Sequence, residues 1–521
     1  MAITVTGKNY NQLSTCETTS SGGTWTGVDT PDSANYKEGL NSLCGTLKAA
    51  GNNDAIFAPT IAVDMTGIKH LRVWYINTSG GLINTFANGG IQLGISDGTN
   101  TGYWKIAGRD TYEGGWINLC VDVSRAVDLG IKPTNMNAIT SIIVRHNQLT
   151  GKNVDNVWVD NLCLCDGLIA YGDDAGGYFD FEDIFQGDLT SLGIGILRKI
   201  GGQYFSTGSI EIGDSAGTVG CKFQAKSQVV IFEDRPVNST LYGINVVDNG
   251  TGVTEFILGD KVGTAGIQGC TIRTASETQT PKFYVDGFTD TDVDNFKLYG
   301  SIFFDGGLIT FGKAAVTTEI LNCSFESCLQ VDPKDANISG CFFINTSDTD
   351  SALLWNDSID ILSCSFIGNT TGAGIEHPDV NDPYDYYDLL FSGNTYDGLN
   401  TSGSDIDVNN NGTSNASTDE GANTITYLSA ITLTITVTDS EGDPVENALA
   451  YIDDPLNTEP YILNTTTNGS GVASTGWGGG SVANAVWRVR LYGYKPFVLI
   501  KSIGSIDIDI PVTLVRDPQQ V

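Results

Sequence analysis

A short phrase keeps returning along the middle of this chain: EILNCSFESC from Glu319, NISGCFFINT from Asn337 and DILSCSFIGN from Asp360. Each copy sets an apolar residue three positions before a cysteine and a phenylalanine two positions after it. Aligned on the cysteine, the phrase is traced six times, through Ile267, Cys270 and Ile272; Leu298, Ser301 and Phe303; Ile320, Cys323 and Phe325; Ile338, Cys341 and Phe343; Ile361, Cys364 and Phe366; and Phe391, Asn394 and Tyr396. Successive centres lie 31, 22, 18, 23 and 30 residues apart. A fixed kernel at irregular intervals near twenty predicts a stack of β-coils in which one strand per coil is constant and the loops vary. Period-two strand geometry then puts the cysteine and the phenylalanine on one face, stacked on their counterparts one coil away, about 4.8 Å distant. The Gly, Asn or Ser before the cysteine suits a bend entering that strand.

The eleven cysteines are therefore expected as small buried hydrophobes. Their number is odd, C-x-x-C pairs are absent, and parallel side chains on neighbouring coils point the same way and bridge poorly. The start, MAITVTGKNY, has neither a basic nor an apolar leader region, from which folding in a reducing cytoplasm is expected.

The 521 residues suffice for several domains, and 63 glycines among short Val, Ile, Leu, Phe and Tyr runs give an all-β composition. Only YFDFEDIFQGDLTSLG, from Tyr178, has helical periodicity. The net charge is −34, and no Lys or Arg occurs between Lys334 and Arg488. Such a surface repels phosphate backbones and anionic headgroups, so nucleic acid and membrane insertion are not expected, and neutral polymers or cations are the better partners. No apolar run approaches spanning length.

The kernels resemble the coils of right-handed parallel β-helix proteins, a group that includes pectate-lyase-like enzymes and many phage tailspikes; the resemblance covers residues 201–425. Residues 1–167 have a different rhythm, with long strands such as IKHLRVWYI and WINLCVDVS, and DSANYKEGLNSLCG and VDNVWVDNLCLC make them similar to the jelly-roll sandwiches of carbohydrate-binding modules and lectin-like domains. That resemblance implies a β-sandwich, often with a structural calcium partly ligated by an Asp such as Asp160. Residues 168–200 read as a connecting segment with a short helix. After an Asn/Ser/Gly-rich linker, residues 430–521 resemble the carboxypeptidase regulatory-like, transthyretin-like sandwich, with ITLTITVTDSEGDPVENALAYI turning at Glu441, Gly442, Asp443 and Pro444, and a second hairpin at TTTNGSGVAS.

Candidate chemistry is sparse. Three histidines, His70, His146 and His377, leave little for a metal site or a triad, and neither G-x-S-x-G nor H-E-x-x-H occurs. DTDVDN from Asp290 and DIDVNN from Asp405 lack the glycine and terminal Glu of an EF-hand loop and read as acidic turns. Trp74, Tyr75, Tyr103, Trp104 and Trp116 either stack against sugar rings or fill a core, with Trp74 and Trp104 the platform candidates. The richest polar cluster, GIEHPDVNDPYDYYD from Gly374, reads as an insertion in the widest gap between late coils. Its Glu376, Asp379, Asp382, Asp385 and Tyr386 suit glycan contact, a subunit contact or, as paired carboxylates, glycoside hydrolysis.

A lectin-like sandwich, a β-helix and a transthyretin-like module in series resemble bacteriophage virion proteins. The expectation is a structural protein, a fibre, spike or head decoration, assembled in the host cytoplasm as a homotrimer. Its expected partners are other virion proteins and host surface polysaccharide. Apart from a structural calcium no cofactor is expected, and catalysis is the lesser alternative. A depolymerising tailspike and a bacterial surface adhesin are the other readings.

Overall fold

The structure, a computed structural model of the chain, describes every residue except 1–2, 48–49, 68, 78–82, 111–113, 150–154, 173–176, 214–220, 234–242, 248–253, 263–265, 275–283, 287–292, 307–308, 311–316, 335, 347–350, 356–360, 380–383, 412–418, 422, 430, 454–461, 478–481, 483, 504–506 and 518–521. It is a multidomain all-β chain. Two compact units divide it, Met1–Asp335 and Ala336–Val521.

The first unit begins with an antiparallel sandwich. One sheet runs Ile117–Asp122, His70–Asn77, Asp155–Leu164, Ser42–Leu47, Thr30–Asp32; the facing sheet runs Leu129–Gly130, Thr101–Ala107, Ile91–Ser96, Ser141–Gln148, Gly51–Pro59, Gly23–Thr26. Leu71, Val73 and Tyr75 point into the core between them, with Phe57, Leu93, Trp104 and Val144 opposite. The alternate residues His70, Arg72 and Trp74 are also buried, because the chain after residue 165 covers the outer face of that sheet. A strand covered on both faces reads as a continuous apolar run with embedded polar anchors, as HLRVWYIN does.

The parallel coils start at Gly167–Gly172, inside the stretch that the sequence assigns to a connector. That strand pairs in parallel with Ser209–Ile212, followed by Gly243–Val246, Tyr284–Asp286, Ile309–Thr310 and Val331–Asp332, while Ile3–Lys8 closes its other edge antiparallel. A second parallel sheet of this unit runs from Gln203–Ser206 to Ser324–Glu326 and a third from Cys221–Ala225 to Thr317–Leu321. The helical stretch forms Phe181–Gly187, capped by Asp180 with Asp183 closing a capping box, and continues into a wider turn at Asp188–Leu192.

In the second unit the coils provide Phe342–Ile344, Ser365–Ile367 and Leu390–Ser392 on one sheet, Ser351–Leu354, Ala373–His377, Tyr396–Asn400 and Asp419–Gly421 on another, and Ile361–Leu362, Tyr384–Tyr387, Ile406–Asn411 and Ile425–Ser429 on the third. The terminal sandwich packs a three-stranded sheet, Val472–Trp477, Ile431–Thr438 and Ile508–Thr513, against a four-stranded one, Leu463–Thr466, Leu449–Asp453, Val486–Arg490 and Phe497–Ile500. Leu433, Ile435, Val437 and Trp487 sit at its centre. Asp439 accepts from the Glu441 and Asp443 amides and shapes the first predicted turn.

The recurrent phrase proves to span a corner. Its first apolar residue lies on one sheet and its phenylalanine on the next: Ile320 belongs to Thr317–Leu321 and Phe325 to Ser324–Glu326. Between them Asn322 turns through the left-handed region, as do Gly300, Gly340, Ser363 and Asp388 in the equivalent places. A second left-handed residue follows each phenylalanine strand, at Asp305, Ser327, Asn345, Gly368 and Gly393, always five residues after the first, with φ from 50° to 70°. The buried cysteine closes the first corner by donating its thiol to the carbonyl two residues back: Cys323 to Leu321 at 3.4 Å, Cys341 to Ser339 at 3.5 Å, Cys364 to Leu362 at 3.4 Å. Ser301 does the same with its hydroxyl, to Tyr299 at 3.2 Å. This is why serine substitutes for cysteine there.

The phenylalanines stack as expected. Within the first unit Phe303 and Phe325 are 5.2 Å apart and 8° from parallel. Within the second, Phe366 lies between Phe343 (4.9 Å, 6°) and Phe391 (5.2 Å, 14°). Phe391 therefore occupies the phenylalanine position of the last coil and Leu389 its cysteine position. The alignment through Asn394 and Tyr396 is out of register, and the true interval is 25 residues, from Ser363 to Asp388 at the bend. Asn394 instead lies beyond the second corner, where its side-chain carbonyl accepts from the Asn369 amide side chain at 3.0 Å.

Candidate functional site

The acidic stretch from Gly374 is not an insertion. Ala373–His377 and Tyr384–Tyr387 are regular strands of two different sheets. Period-two alternation turns Ile375, His377, Tyr384 and Tyr386 inward, where Trp355 stacks on Tyr386 at 5.4 Å and the His377 Nε2 meets the Tyr386 hydroxyl at 2.8 Å. Burial alone pushes His377 down to about 3, so its ring is neutral. Tyr386 thus offers no surface to a glycan. Glu376 and Asp385 turn outward on separate sheets, Glu376 accepting from the Thr401 hydroxyl at 2.9 Å and Asp385 from the Asn409 side chain at 2.9 Å. Asp379 is exposed, and Asp382 lies outside the described residues. Of the acidic turns, the first half of the stretch from Asp290 is also outside them while Val293, Asp294 and Asn295 begin the strand Val293–Tyr299, and Ile406–Asn411 is a strand with Ile406 and Val408 inward.

The predicted aromatic platform separates in the same way. Trp104 is fully buried in the sandwich core and donates to the Ala126 carbonyl, so its faces are closed to a sugar. Tyr75 is buried against His146, and Tyr103 lies under the Arg145 guanidinium at 3.8 Å. Trp74 and Trp116 remain together, lining a groove of about 310 Å³ on the outer face of the sandwich sheet.

That groove is assembled from distant pieces of sequence. Trp74 donates to the Gly193 carbonyl at 2.7 Å, and Lys37 Nζ stands 4.7 Å over its ring. Gly193 and Gly195 both have positive φ, and both face the site. A Cβ at Gly195 would meet the Trp74 ring at 2.2 Å, and one at Gly193 would meet the Glu38 carboxyl carbon at 1.7 Å. The loop thus lies flat on the two side chains only because it carries no side chain there. Asp188 holds the loop from beneath by accepting from the Gly195 and Leu197 amides at 3.2 and 3.0 Å. Asp160 holds the other wall, accepting from the Lys37 and Glu38 amides, each at 2.8 Å, and from Asn161.

These bonds revise the role expected for Asp160. Its oxygens accept from three backbone N–H groups, and among the described residues no group of three or more His, Cys, Asp or Glu is placed to hold a metal. Glu38 is the distinctive carboxyl of the groove. Burial pushes it up to about 7; Lys37 opposes that rise, while Asp160 and Asp188 add to it. Near neutrality it can both donate and accept a hydrogen bond beside an indole face. Half-exposed Trp116 and exposed Leu189 and Ile200 complete an amphipathic rim of the kind that suits a sugar ring. Sequence reasoning missed Glu38, Gly193 and Gly195, although the Gly193-Ile194-Gly195 spacing right after a helical stretch marks a backbone that approaches something closely.

No protein-family model matches the sequence, and no curated protein does. Among solved structures, the chain is similar to PfGH50B, at 16% identity over 26% of this chain and 22% of that one with a TM-score of 0.20, and to a carbohydrate-binding module of the β-sandwich superfamily, at 13% identity over 32% and 57% with a TM-score of 0.19. It spans less than two thirds of the length of either. A third is the catalytic domain of a GH87 α-1,3-glucanase in complex with nigerose, at 10% identity over 77% of this chain and 97% of that one, with a TM-score of 0.22.

Proposed function

We propose that this chain is a structural protein of a bacteriophage particle, a fibre, spike or head decoration displayed as a homotrimer, which binds host surface glycans without cleaving them. In this reading it assembles in the host cytoplasm and contacts other virion proteins. The observation that carries glycan binding is the groove that Trp74 floors and in which partly exposed Trp116 presents indole surface beside Glu38 and Lys37. Apolar ring faces stack on pyranose C–H surfaces, and a carboxyl and an ammonium order the hydroxyls. A sandwich, parallel coils and a second sandwich along one chain support a displayed, structural role. The strongly acidic composition supports a neutral polymer over nucleic acid as partner.

Non-cleavage is supported by the carboxyls. Hydrolysis of a glycosidic bond uses two of them facing one groove, whereas Asp188 and Asp160 are engaged by backbone amides and Glu376 and Asp385 sit on separate sheets. The elevated Glu38 is the feature that favours a hydrolase as second reading. Titrating the full chain with host capsular polysaccharide by calorimetry, while assaying new reducing ends, tests both. Trp116→Ala should weaken binding about tenfold, roughly 1.4 kcal/mol, and Tyr492→Ala, at an 87% exposed position of the terminal sandwich, should not. Reducing ends that vanish in Glu38→Gln would transfer the chain to the hydrolases. Antibody against the terminal sandwich should label intact particles; unlabelled particles would end the virion reading.

A further inference from the structure

The four-stranded sheet of the terminal sandwich has an outer face that its own core does not use. Trp487, Val489, Ala450 and Ile452 point inward. On the other side, cross-strand register sets Arg488 between Tyr451 and Val498, Val486 beside Ile500, and Arg490 opposite Leu449. Val498 and Ile500 are 58% and 64% exposed on the last strand of the sheet. Both guanidinium groups lean over the Tyr451 ring, each 5.6 Å from its centre, which holds two cations at fixed positions beside the apolar pair. Arg488 and Arg490 are the first cations after Lys334 in the sequence. An apolar stripe flanked by ordered arginines is the composition of an interface rather than of a solvated face.

A matching surface exists on the coils of the same unit. Leu362 and Tyr387 lie opposite each other in register, both outward and 40% and 45% exposed. Asp385 turns outward on the same strand as Tyr387, and Asp407 turns outward on the next strand of that sheet. Asp388 follows at the exposed corner. This is again an apolar pair flanked by charge, but of the opposite sign, in a stretch of sequence that has no cation.

We propose that the face built by Tyr451, Arg488, Arg490, Val498 and Ile500 docks on the Leu362, Tyr387, Asp385 and Asp407 surface of a second copy of this chain. The two faces differ, so the contact is heterologous: each copy gives one and receives the other, and a ring of three closes it. The proposal rests on the trimeric reading above and names its contact. Lys495 and Lys501 flank the last strand, as edge lysines do where strand addition is avoided, so the sheet face and not its edge is the docking element.

Sedimentation equilibrium of the full chain at micromolar concentration tests it. The wild type should be a trimer of the 55.4 kDa chain. Arg488→Glu with Arg490→Glu, or Asp385→Lys with Asp407→Lys, should each weaken association about a hundredfold or more by placing like charges opposite one another. The chain carrying all four substitutions should regain the trimer, which separates a lost contact from a lost fold. A trimer that survives either charge reversal, or a fourfold variant that stays monomeric, would overturn this interface while leaving the trimeric reading in place. A monomeric wild type would overturn both, including the case where its arginine face instead takes up an added anionic polysaccharide.

Discussion

Replacing Phe366 by alanine removes the middle ring of a three-ring stack. The side chain is fully buried, with Phe343 at 4.9 Å on one side and Phe391 at 5.2 Å on the other, both within 14° of parallel. Truncating a buried phenylalanine to alanine costs about 3 to 5 kcal/mol in transfer and cavity terms. Each lost aromatic pair adds about 0.5 to 1.5 kcal/mol beyond area. The sum for Phe366→Ala is about 6 kcal/mol, a large share of the stability of a typical domain. Phe366→Leu keeps most of the buried volume and forfeits mainly the two ring contacts, so about 2 kcal/mol is expected. Equilibrium urea unfolding of Phe366→Leu, Phe391→Leu and the double variant isolates the ring coupling, which should be near 1 kcal/mol. The stacking account would be refuted by a Phe366→Ala loss below about 1 kcal/mol or by strict additivity of the two leucine variants.

The corner thiols should be chemically silent. Hydrogen bonding with Cys341 and burial hold Cys364 well above the ordinary thiol range. Cys323, Cys341 and Cys364 are all fully buried and should resist thiol reagents until the chain is denatured; rapid labelling of the native chain would contradict their burial. Cys341→Ser should be tolerated, as Ser301 is, whereas Cys341→Asp should be severely destabilising, and thermal unfolding distinguishes the two. Glu38 gives a pH signature. With its folded value raised from 4.5 to about 7, the folded state binds the extra proton, so its contribution is fully present below pH 4.5 and is lost as the pH rises to about 7. The Glu38→Gln variant, which cannot ionise, should therefore gain in melting temperature relative to the wild type between those limits, and a difference independent of pH would dismiss the assignment.

The coils were legible because their constraint is local. A left-handed corner, a thiol or hydroxyl that closes it and a ring one coil from its neighbour all fall within six residues, so one window of sequence contains the whole device. The last coil escaped because Leu389 stands in the cysteine position, while Asn394, five residues further on, imitates it. The terminal sandwich was legible through its strict alternation and its Asp439 turn. The groove was not, because Trp74, Glu38 and Gly193 meet only in the folded chain, and no pattern in one strand says which face of a doubly covered sheet another segment will approach. The same ambiguity made Trp104 and Trp74 look equivalent, although one points into the core and the other away from it. In the acidic stretch from Gly374, composition outweighed periodicity: the tyrosines follow the period-two rule and belong inside, and the carboxylates that drew attention are what the rule leaves outside.

In the five coils from Gly300 to Gly393 the two left-handed corners stand five residues apart, while successive coils begin 22, 18, 23 and 25 residues apart. One side of each of these turns is therefore of fixed length, and the variation is confined to the rest. A chain built this way can be lengthened or shortened by whole turns, each adding about 4.8 Å, without inventing a new kind of contact, since the added rung finds a ring above, a ring below and a corner already specified. The number of rungs then becomes an evolvable quantity, separate from recognition: deletion of one complete turn, cut at equivalent corners, should leave the fold of the first and the terminal sandwich intact.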